Sequence, residues 1–526
     1  MTNSIGELSG PDVILIAGSN TTEQHPIISG KIMDAVRGGT SLIIFDPRLI
    51  QLTPYAEMHL RQKPGTDVAY INSMMKVIID EGLYDREFVE RRTEGFDDLK
   101  KSLGGCTPEW AQGITGITAE DIVRAARMFS SAKKGSIVYC MGITQHACGT
   151  GNVKALADLA MLTGNIGRLS TGLNPLRGQN NVQGACDMGG LPDVFTGYQA
   201  VADEAAREKF EEAWGAKLPR EPGLTLMEMM EGALEGTVEF MMIIGENPVI
   251  SDPNSAHVRE ALANVGFLVV EDIMDTDTTA LADVVLPGAC WAEKDGTFTN
   301  TERRVQRVRK AVEPPGEARA DWEVLRDLAK AAGGRGFDYE SPEQVFDEMR
   351  SLTPQYKGIS YSRLSEAGIQ WPCPDEESPG KQYLHEGHFT RGKGKFEPVE
   401  YRPPAERCDE DYPLTLMTGR LAFQYHTGTM TRQSPTLDNE VSKAFVEVNP
   451  GDAEAAGLKS GDPATVSSRR GELTLEVKVT HRVNPGEVFI PFHFPEASAN
   501  ILTSDTLDPV ARIPELKVCA VRLSRA

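Results

Sequence analysis

Apolar residues in the first part of this chain fall into short runs that stop at glycine or acid, followed by helical spacing. Residues 12–17 (DVILIA) form one such run and end at Gly18-Ser19-Asn20. Residues 26–37 follow with apolar positions at helical intervals, and a second run, 41–45, ends at Asp46-Pro47-Arg48. Strand, glycine turn, helix, strand and acid is the plan of a mononucleotide-binding half-fold: the turn admits phosphate near a helix start, and the acid accepts from ribose hydroxyls. Alone the motif is nonspecific, because the turn is not G-x-G-x-x-G and many βαβ units end their strands in Asp. The plan recurs. Residues 240–244 end at Gly245-Glu246-Asn247-Pro248, a helix is predicted around 255–264, and the run 267–270 ends at Glu271-Asp272. Each half then carries a small residue before an acid and a Pro-Gly: Ala56-Glu57 with Pro64-Gly65, and Ala282-Asp283 with Pro287-Gly288. Two diverged halves predict two nucleotides or one ligand with two nucleotide tails. The alternative is a doubly wound sheet with no ligand at one half.

Further helices are predicted over 66–81, with Asp67 as an early acid, over 118–131, capped by Thr118 with Asp121 three residues on, and over 156–162. A strand over 137–142 places Gln145 and His146 at a strand end, where α/β proteins bind ligands. Residues 203–223 read as a charged surface helix and loop. Residues 294–310 end in the basic run RRVQRVRK (303–310), which reads as a solvated strand with Arg303 or Arg304 near a phosphate, and 313–320 read as a linker. From 412 onward short strands recur at 414–417, 445–448, 464–468, 473–479 and 488–491, with a small helix from Asn449-Pro450 to Gly457. That texture predicts a β-barrel. The fold class is therefore α/β: two related doubly wound domains (1–180 and 181–292), a connecting α+β segment (293–405) and a barrel (406–526).

At 526 residues the chain can bury several cores. A formal charge of −22 argues against nucleic acid or an acidic membrane surface as partner. No apolar run reaches the length of a membrane span, and the first ten residues lack the basic and apolar segments of a secretory signal. The eight cysteines are scattered without a C-x-x-C pair, which predicts neither a disulfide framework nor a local cluster or zinc site and fits a cytoplasmic setting. His385 and His388, the one close histidine pair, read as a loop feature.

The densest chemistry lies in residues 174–190, NPLRGQNNVQGACDMGG. Five amides (Asn174, Gln179, Asn180, Asn181, Gln183) and four glycines stand beside Arg177, Cys186 and Asp187. No helix or strand period fits this run. Amides donate and accept at once, glycine lets backbone approach a ligand, and Arg177 offers a planar fork for carboxylate or phosphate. The run reads as the lining of a large polar cofactor site, against a buried amide-rich turn.

The segment GQNNVQGACDMG resembles the signature of formate dehydrogenase catalytic subunits of the molybdopterin oxidoreductase family. The resemblance extends through GSNTTEQHP (18–26), IIFDPR (43–48), PGTD (64–67), MGITQH (141–146), LAMLTGNIG (159–167), GENP (245–248), IQWPCP (369–374) and GTMTRQSP (428–435). It implies two molybdopterin guanine dinucleotides whose dithiolene sulfurs hold one molybdenum or tungsten, with a double-psi barrel covering both. By resemblance, Gly18, Ser19, Asn20, His25, Asp46, Arg48 and Asp67 hold one guanosine and its pyrophosphate, Asp67 pairing with guanine. Gly245, Asn247 and Asp272 hold the other. Gln145, Gly178, Gln179, Asn180, His426, Thr429 and, more loosely, Asn500 line the cofactor, and Arg177 orients formate for oxidation to carbon dioxide. No residue of this sequence is assigned as a metal ligand.

The sequence departs from that family in one respect. The cysteine-rich segment for a [4Fe–4S] cluster and the metal-ligating selenocysteine or cysteine followed by histidine have no counterpart, so the chain resembles the C-terminal three-quarters of the subunit. A separate cluster-binding chain, a misread gene start at a selenocysteine codon, or a non-catalytic relic each accommodates this. The first two together imply an iron–sulfur partner that carries electrons away. Competing readings are a nitrate reductase of the same family, a cofactor carrier without turnover, and an NAD-dependent dehydrogenase, which the glycine turns disfavour. Hydrolase chemistry lacks its motifs.

Overall fold

The computed structural model describes residues 1–365 and 367–526. Contacts divide the chain into two compact units: 1–176 with 250–255 and 383–526, and 177–249 with 256–382.

The first unit opens with the predicted half-fold. β1 (Val13–Ala17), α1 (Pro26–Arg37), β2 (Ser41–Phe45), β3 (Met58–Leu60), α2 (Asp67–Asp80), β4 (Gly135–Tyr139), α3 (Gly149–Leu162) and β5 (Gly172–Pro175) build a parallel sheet in the order β3-β2-β1-β4-β5. The chain leaves β1 toward one edge and returns to β4 on its other side, so β1 and β4 flank the point where the order reverses. Alternation along the strands sorts the core into two layers. Leu15, Ile43 and Ile137 pack with α2 and α3, whereas Ile14, Ile16, Leu42 and Ile44 pack with Ile28 and Ile32 of α1. Phe45 stacks on Tyr70 at 4.1 Å between ring centroids, pinning α2 to β2. The helix over Ala119–Ser131 begins as predicted, with Thr118 accepting from the Asp121 amide.

Two placements differ from the sequence reading. The strand predicted over 137–142 is Gly135–Tyr139, and a one-turn helix, Met141–Thr144, follows it. Gln145 and His146 therefore follow that helix instead of closing a strand. The helix predicted over 156–162 is α3, a full turn and more longer at its N-terminus. Its first residues, Gly149-Thr150-Gly151-Asn152, are poor helix formers, so packing rather than propensity makes them helical.

In the second unit, α4 (Val182–Asp187) lies inside the amide-rich run, in which no helical period is evident from the sequence. β6 (Phe240–Ile244), β7 (Phe267–Asp272) and β8 (Val284–Pro287) form a parallel sheet in the order β8-β7-β6. β9 (Gly296–Thr299) and β10 (Arg304–Val308) pair antiparallel and are joined by β11 (Ile369–Gln370).

The chain then returns to the first unit and closes a barrel. β12 (Leu414–Gly419), β13 (Phe445–Val448), β14 (Pro463–Ser467), β15 (Glu472–Val479), β16 (Glu487–Pro491) and β17 (Cys519–Arg525) run around it in the order β12-β16-β13-β15-β14-β17. β15 alternates strictly between exposed and buried positions, as a barrel wall requires. Among the described residues no helix is long and apolar enough to cross a membrane.

Candidate functional site

In the first unit the turn after β1 meets the turn after β4. The Gly18 amide donates to the Phe45 carbonyl at 3.0 Å, and the Gly18 carbonyl accepts from the Gly142 amide at 3.0 Å. Gly18 has φ +53°, and a Cβ there would lie 2.6 Å from the Gly142 carbonyl carbon. Backbone therefore touches backbone at the switch point, and a side chain at Gly18 has no room. Just beyond, the Ser19 hydroxyl, both amide atoms of Asn20 and the Thr21 hydroxyl are buried without a hydrogen-bond partner among the described residues. Each such atom costs about 1–3 kcal/mol unless something bonds to it. A phosphate with its ribose supplies acceptors and donors in that mixture, so these residues fit the polar end of a nucleotide cofactor.

Two buried carboxyls stand beside this turn. Asp46 accepts from the Arg48 amide at 2.9 Å. Burial raises its pKa to about 6, opposed by that hydrogen bond and by Arg48, Arg61 and Arg482. Asp67 is the first residue of α2, is 2 % exposed, and accepts from Gln62 Nε2 at 3.2 Å. Burial pushes its pKa up to about 7. A carboxylate there is short of donors, and the N1–H and amino group of a guanine would supply two. Arg48 is tied down: its guanidinium lies 3.4 Å from the centroid of the Phe489 ring and donates to Glu447 at 2.8 Å, so it presents a tethered, partly neutralised charge. His25 stands at the N-cap position of α1, ahead of Pro26, without a side-chain capping bond, and is half-buried. Gln145 is half-buried at the end of the one-turn helix, and its neighbour His146 is buried against the Gly142 carbonyl at 2.8 Å. Burial holds the His146 pKa near about 4, so it is neutral and donates through Nε2.

The barrel loop brings up His426, with φ +48°, and Thr429, whose hydroxyl lies 2.9 Å from that of Thr427. His493 Nε2 accepts from the Leu421 amide at 2.8 Å, which leaves Nδ1–H to donate to the His426 carbonyl. Burial drops both histidines to about 4, so neither carries charge at neutral pH. Asn500 is engaged elsewhere. Its amide donates to the Ile250 and Ser251 carbonyls at 2.9 and 2.8 Å and fastens the 250–255 segment.

Two cations, Arg420 and Lys517, stand outside the sequence-based expectations. Lys517 donates to the Thr418 carbonyl at 2.8 Å, and burial followed by Arg420 lowers its pKa to about 8. Arg420, the residue after β12, is likewise held below its ordinary value by burial. The signals were present: Arg420 follows a predicted strand end, and Lys517 is the lone charge in an apolar stretch, 516–521. Two mutually repelling, desolvated cations favour an anion between them.

In the second unit the turn after β6 repeats the plan with more space. The Gly245 amide donates to the Glu271 carbonyl at 2.7 Å, φ is +62°, and nothing lies within 4 Å of a built Cβ. Asn247 is buried and accepts from the Thr278 hydroxyl at 2.7 Å. Asp272 is half-buried, accepts from the Ile273 amide at 2.7 Å, and is raised by burial. The sequence pattern points to Asp272 and not to its neighbour Glu271. Glu271 is 1 % exposed and raised to about 7, first by burial and then by Asp321.

The amide-rich run resolves into two sets. Asn174 donates to Ser136 Oγ at 3.0 Å in the first unit. Within the second, Asn181 accepts from the Thr299 amide at 2.9 Å and Gln183 donates to Asp187 at 2.8 Å. Those three amides hold the protein together. Arg177, Gly178 and Gln179 are half-buried and Asn180 is exposed, so this stretch offers the polar surface. Arg177 is fixed by its amide to Thr301 Oγ1 at 3.0 Å, and its guanidinium reaches Cys186 Sγ at 3.5 Å. Arg303 and Arg304 do not serve as expected. Arg303 is 2 % exposed and donates to the carbonyls of Trp371, Lys381 and Gln382. Arg304 bonds Glu302, Ala367 and Gln370. The forks of both are taken up by protein acceptors, and the predicted strand is β10, one arm of a hairpin with Val305 buried.

Comparison with known proteins shows the family and the fold. The family description "Molybdopterin oxidoreductase" matches residues 1–331, and "Molydopterin dinucleotide binding domain" matches residues 414–520. The chain is 52% identical to the F420-dependent formate dehydrogenase subunit alpha of Methanocaldococcus jannaschii, over 100% of this chain and 78% of that protein. It is 38% identical to formate dehydrogenase H of Escherichia coli, over 99% of this chain and 74% of that one. In fold it is similar to acetylene hydratase from Pelobacter acetylenicus, with a TM-score of 0.79 at 21% identity, covering 100% of this chain and 81% of the other. The chain belongs to the molybdopterin oxidoreductase family.

Proposed function

We propose that this chain is the alpha subunit of a formate dehydrogenase, oxidising formate to carbon dioxide, a proton and two electrons at a bis-molybdopterin guanine dinucleotide centre. The observation that carries the reading is the anchored Arg177 loop, in a sequence 38–52% identical to subunits of that name. Ser19, Asn20, Asp46 and Asp67 would hold one guanosine and its pyrophosphate. Gly245, Asn247 and Asp272 would hold the other, and Gln145, Gln179, Asn180, His426 and Thr429 would line the pterins. When bound, the molybdenum or tungsten supplies the two-electron chemistry. Arg177 receives the formate carboxylate through parallel N–H donors, which turns the C–H bond away from the guanidinium. Its guanidinium gives the site a positive, fork-shaped group that favours an anion. The cations at Arg420 and Lys517 support binding of an anionic cofactor.

Electrons would leave through iron–sulfur clusters, one on a segment or chain that this sequence does not include, and then to an iron–sulfur partner subunit. Relatives whose names specify F420 favour that acceptor. The chain would work in the cytoplasm. The test is native purification with metal analysis and mass spectrometry on one sample, followed by Arg177→Lys in the assembled enzyme. Molybdenum or tungsten with a cysteine-rich partner is expected. The formate KM should then rise about tenfold or more and kcat fall, because one bidentate charged pair is lost. Unchanged KM and kcat would remove Arg177 from the site.

A further inference from the structure

α4 turns a single acid, Asp187, back into the second unit, where its side chain is fully buried. Four donors converge on it. Gln183 Nε2 and the Tyr198 hydroxyl each reach Oδ1 at 2.8 Å, while Trp371 Nε1 reaches Oδ2 at 2.7 Å and the Tyr356 hydroxyl bonds the same oxygen. The donors come from α4 itself, from the loop that follows it, and from two distant segments. Tyr356 is also buried and lies 3.1 Å from the hydroxyl of Thr299 on β9. Thr299 in turn donates its amide to Asn181, at the start of α4, and Thr301 accepts from the Arg177 amide. These hydrogen bonds tie the Arg177–Asp187 segment to β9, to the turn that follows it and to the Asp187 cage. There is little slack at Gly184, where a Cβ would lie 2.2 Å from Asn181 Oδ1.

We propose that Asp187 is the positioning residue for Arg177: its four-donor cage locks α4 against β9 and so sets the place and tilt of the guanidinium. This rests on the reading of Arg177 as the formate-binding group. Asp187 touches no substrate and acts only through the loop. Six residues form too short a helix to be stable alone, so α4 needs such an anchor. Because a carboxylate accepts on both oxygens, Asn cannot replace it: an NH2 group would face two of the four donors.

Hydrogen exchange on the purified full chain, read by mass spectrometry, tests the cage without activity. In Asp187→Asn, amides in 178–190 are expected to exchange about tenfold faster or more, with those of β1 and β2 unchanged. In assembled enzyme the formate KM should rise about tenfold with a smaller fall in kcat, and excess formate should restore most of the rate. If Asp187→Asn unfolds the chain, Tyr198→Phe removes one donor and should shift both readouts in the same direction by less. Wild-type exchange across 178–190 in a folded variant overturns the proposal, as does a loosened loop with an unchanged formate KM in an enzyme where Arg177→Lys raises it. If Arg177→Lys itself leaves KM unchanged, the formate assignment has failed, and the exchange result still decides the cage.

Discussion

The two nucleotide-binding halves share a sequence plan and differ in how tightly the structure closes around it. In the first, the central strands β1 and β4 are buried along their whole length, Gly18 abuts Gly142, and polar atoms of Ser19, Asn20 and Thr21 are sealed in without partners among the described residues. In the second, three strands leave Phe240 54% and Phe267 46% exposed, and Gly245 faces open space. The same turn is thus a close-packed crossing in one half and a permissive loop in the other. A glycine read from sequence reports the sign of φ, not the room around it.

The largest way to break the comparison is at the buried acids. Asp67 has a folded pKa near about 7 against an ordinary 3.8. The fold therefore favours its neutral form. Burying the charge costs nothing below pH 4, and the cost grows as pH rises and is complete above 7. A rise of that size corresponds to about 4 kcal/mol. Asp67→Asn should thus leave stability near wild type at pH 4 and raise it at pH 8, measured by denaturant unfolding of the cofactor-free chain. A difference between variant and wild type that is the same at both pH values would contradict a strained carboxyl at this position. The same variant should lose affinity for guanosine nucleotides, since Asn presents an NH2 where guanine also donates.

Much of this was legible in the sequence because pattern and packing agree there. β1, α1, β2 and the helix capped by Thr118 have the right period, and their apolar faces meet. The barrel strands were legible for the same reason. The reading failed where tertiary contacts override local signals. Gly149 to Asn152 are helical only because α3 packs under the sheet, and Asn174, Asn181 and Gln183 look like ligand amides but bond the protein. Arg303 reads as a base near a phosphate and is buried among carbonyls of residues 68 to 79 positions away. Sequence shows which groups can bond; which acceptors arrive depends on long-range register.

A sharper form of the comparison comes from the glycines. Gly18→Ala adds left-handed strain and forces a Cβ to 2.6 Å from backbone, for an expected loss of about 3 kcal/mol. Gly245→Ala has the strain without the clash, for about 1 kcal/mol. Thermal unfolding of the two variants should show the larger drop in Tm for Gly18→Ala. Equal drops would mean that the Gly18–Gly142 crossing opens in solution.

The smallest effect is expected at Asp272, and it separates ligand binding from stability. Its carboxyl is half-buried, raised by burial, and accepts from the Ile273 amide at 2.7 Å, a bond that Asn can keep through its own oxygen. Asp272→Asn should therefore change unfolding by a few tenths of a kcal/mol, as for a partly exposed site. Asn also keeps an acceptor for a ribose hydroxyl but loses the charge, so guanosine nucleotide affinity should fall only about threefold at this half. Isothermal titration with the Asp67→Asn variant as background isolates the second half. A loss there as large as that caused by Asp67→Asn would mean that the two halves recognise their nucleotides through equivalent acids, and that the openness of the second is no guide to how it binds.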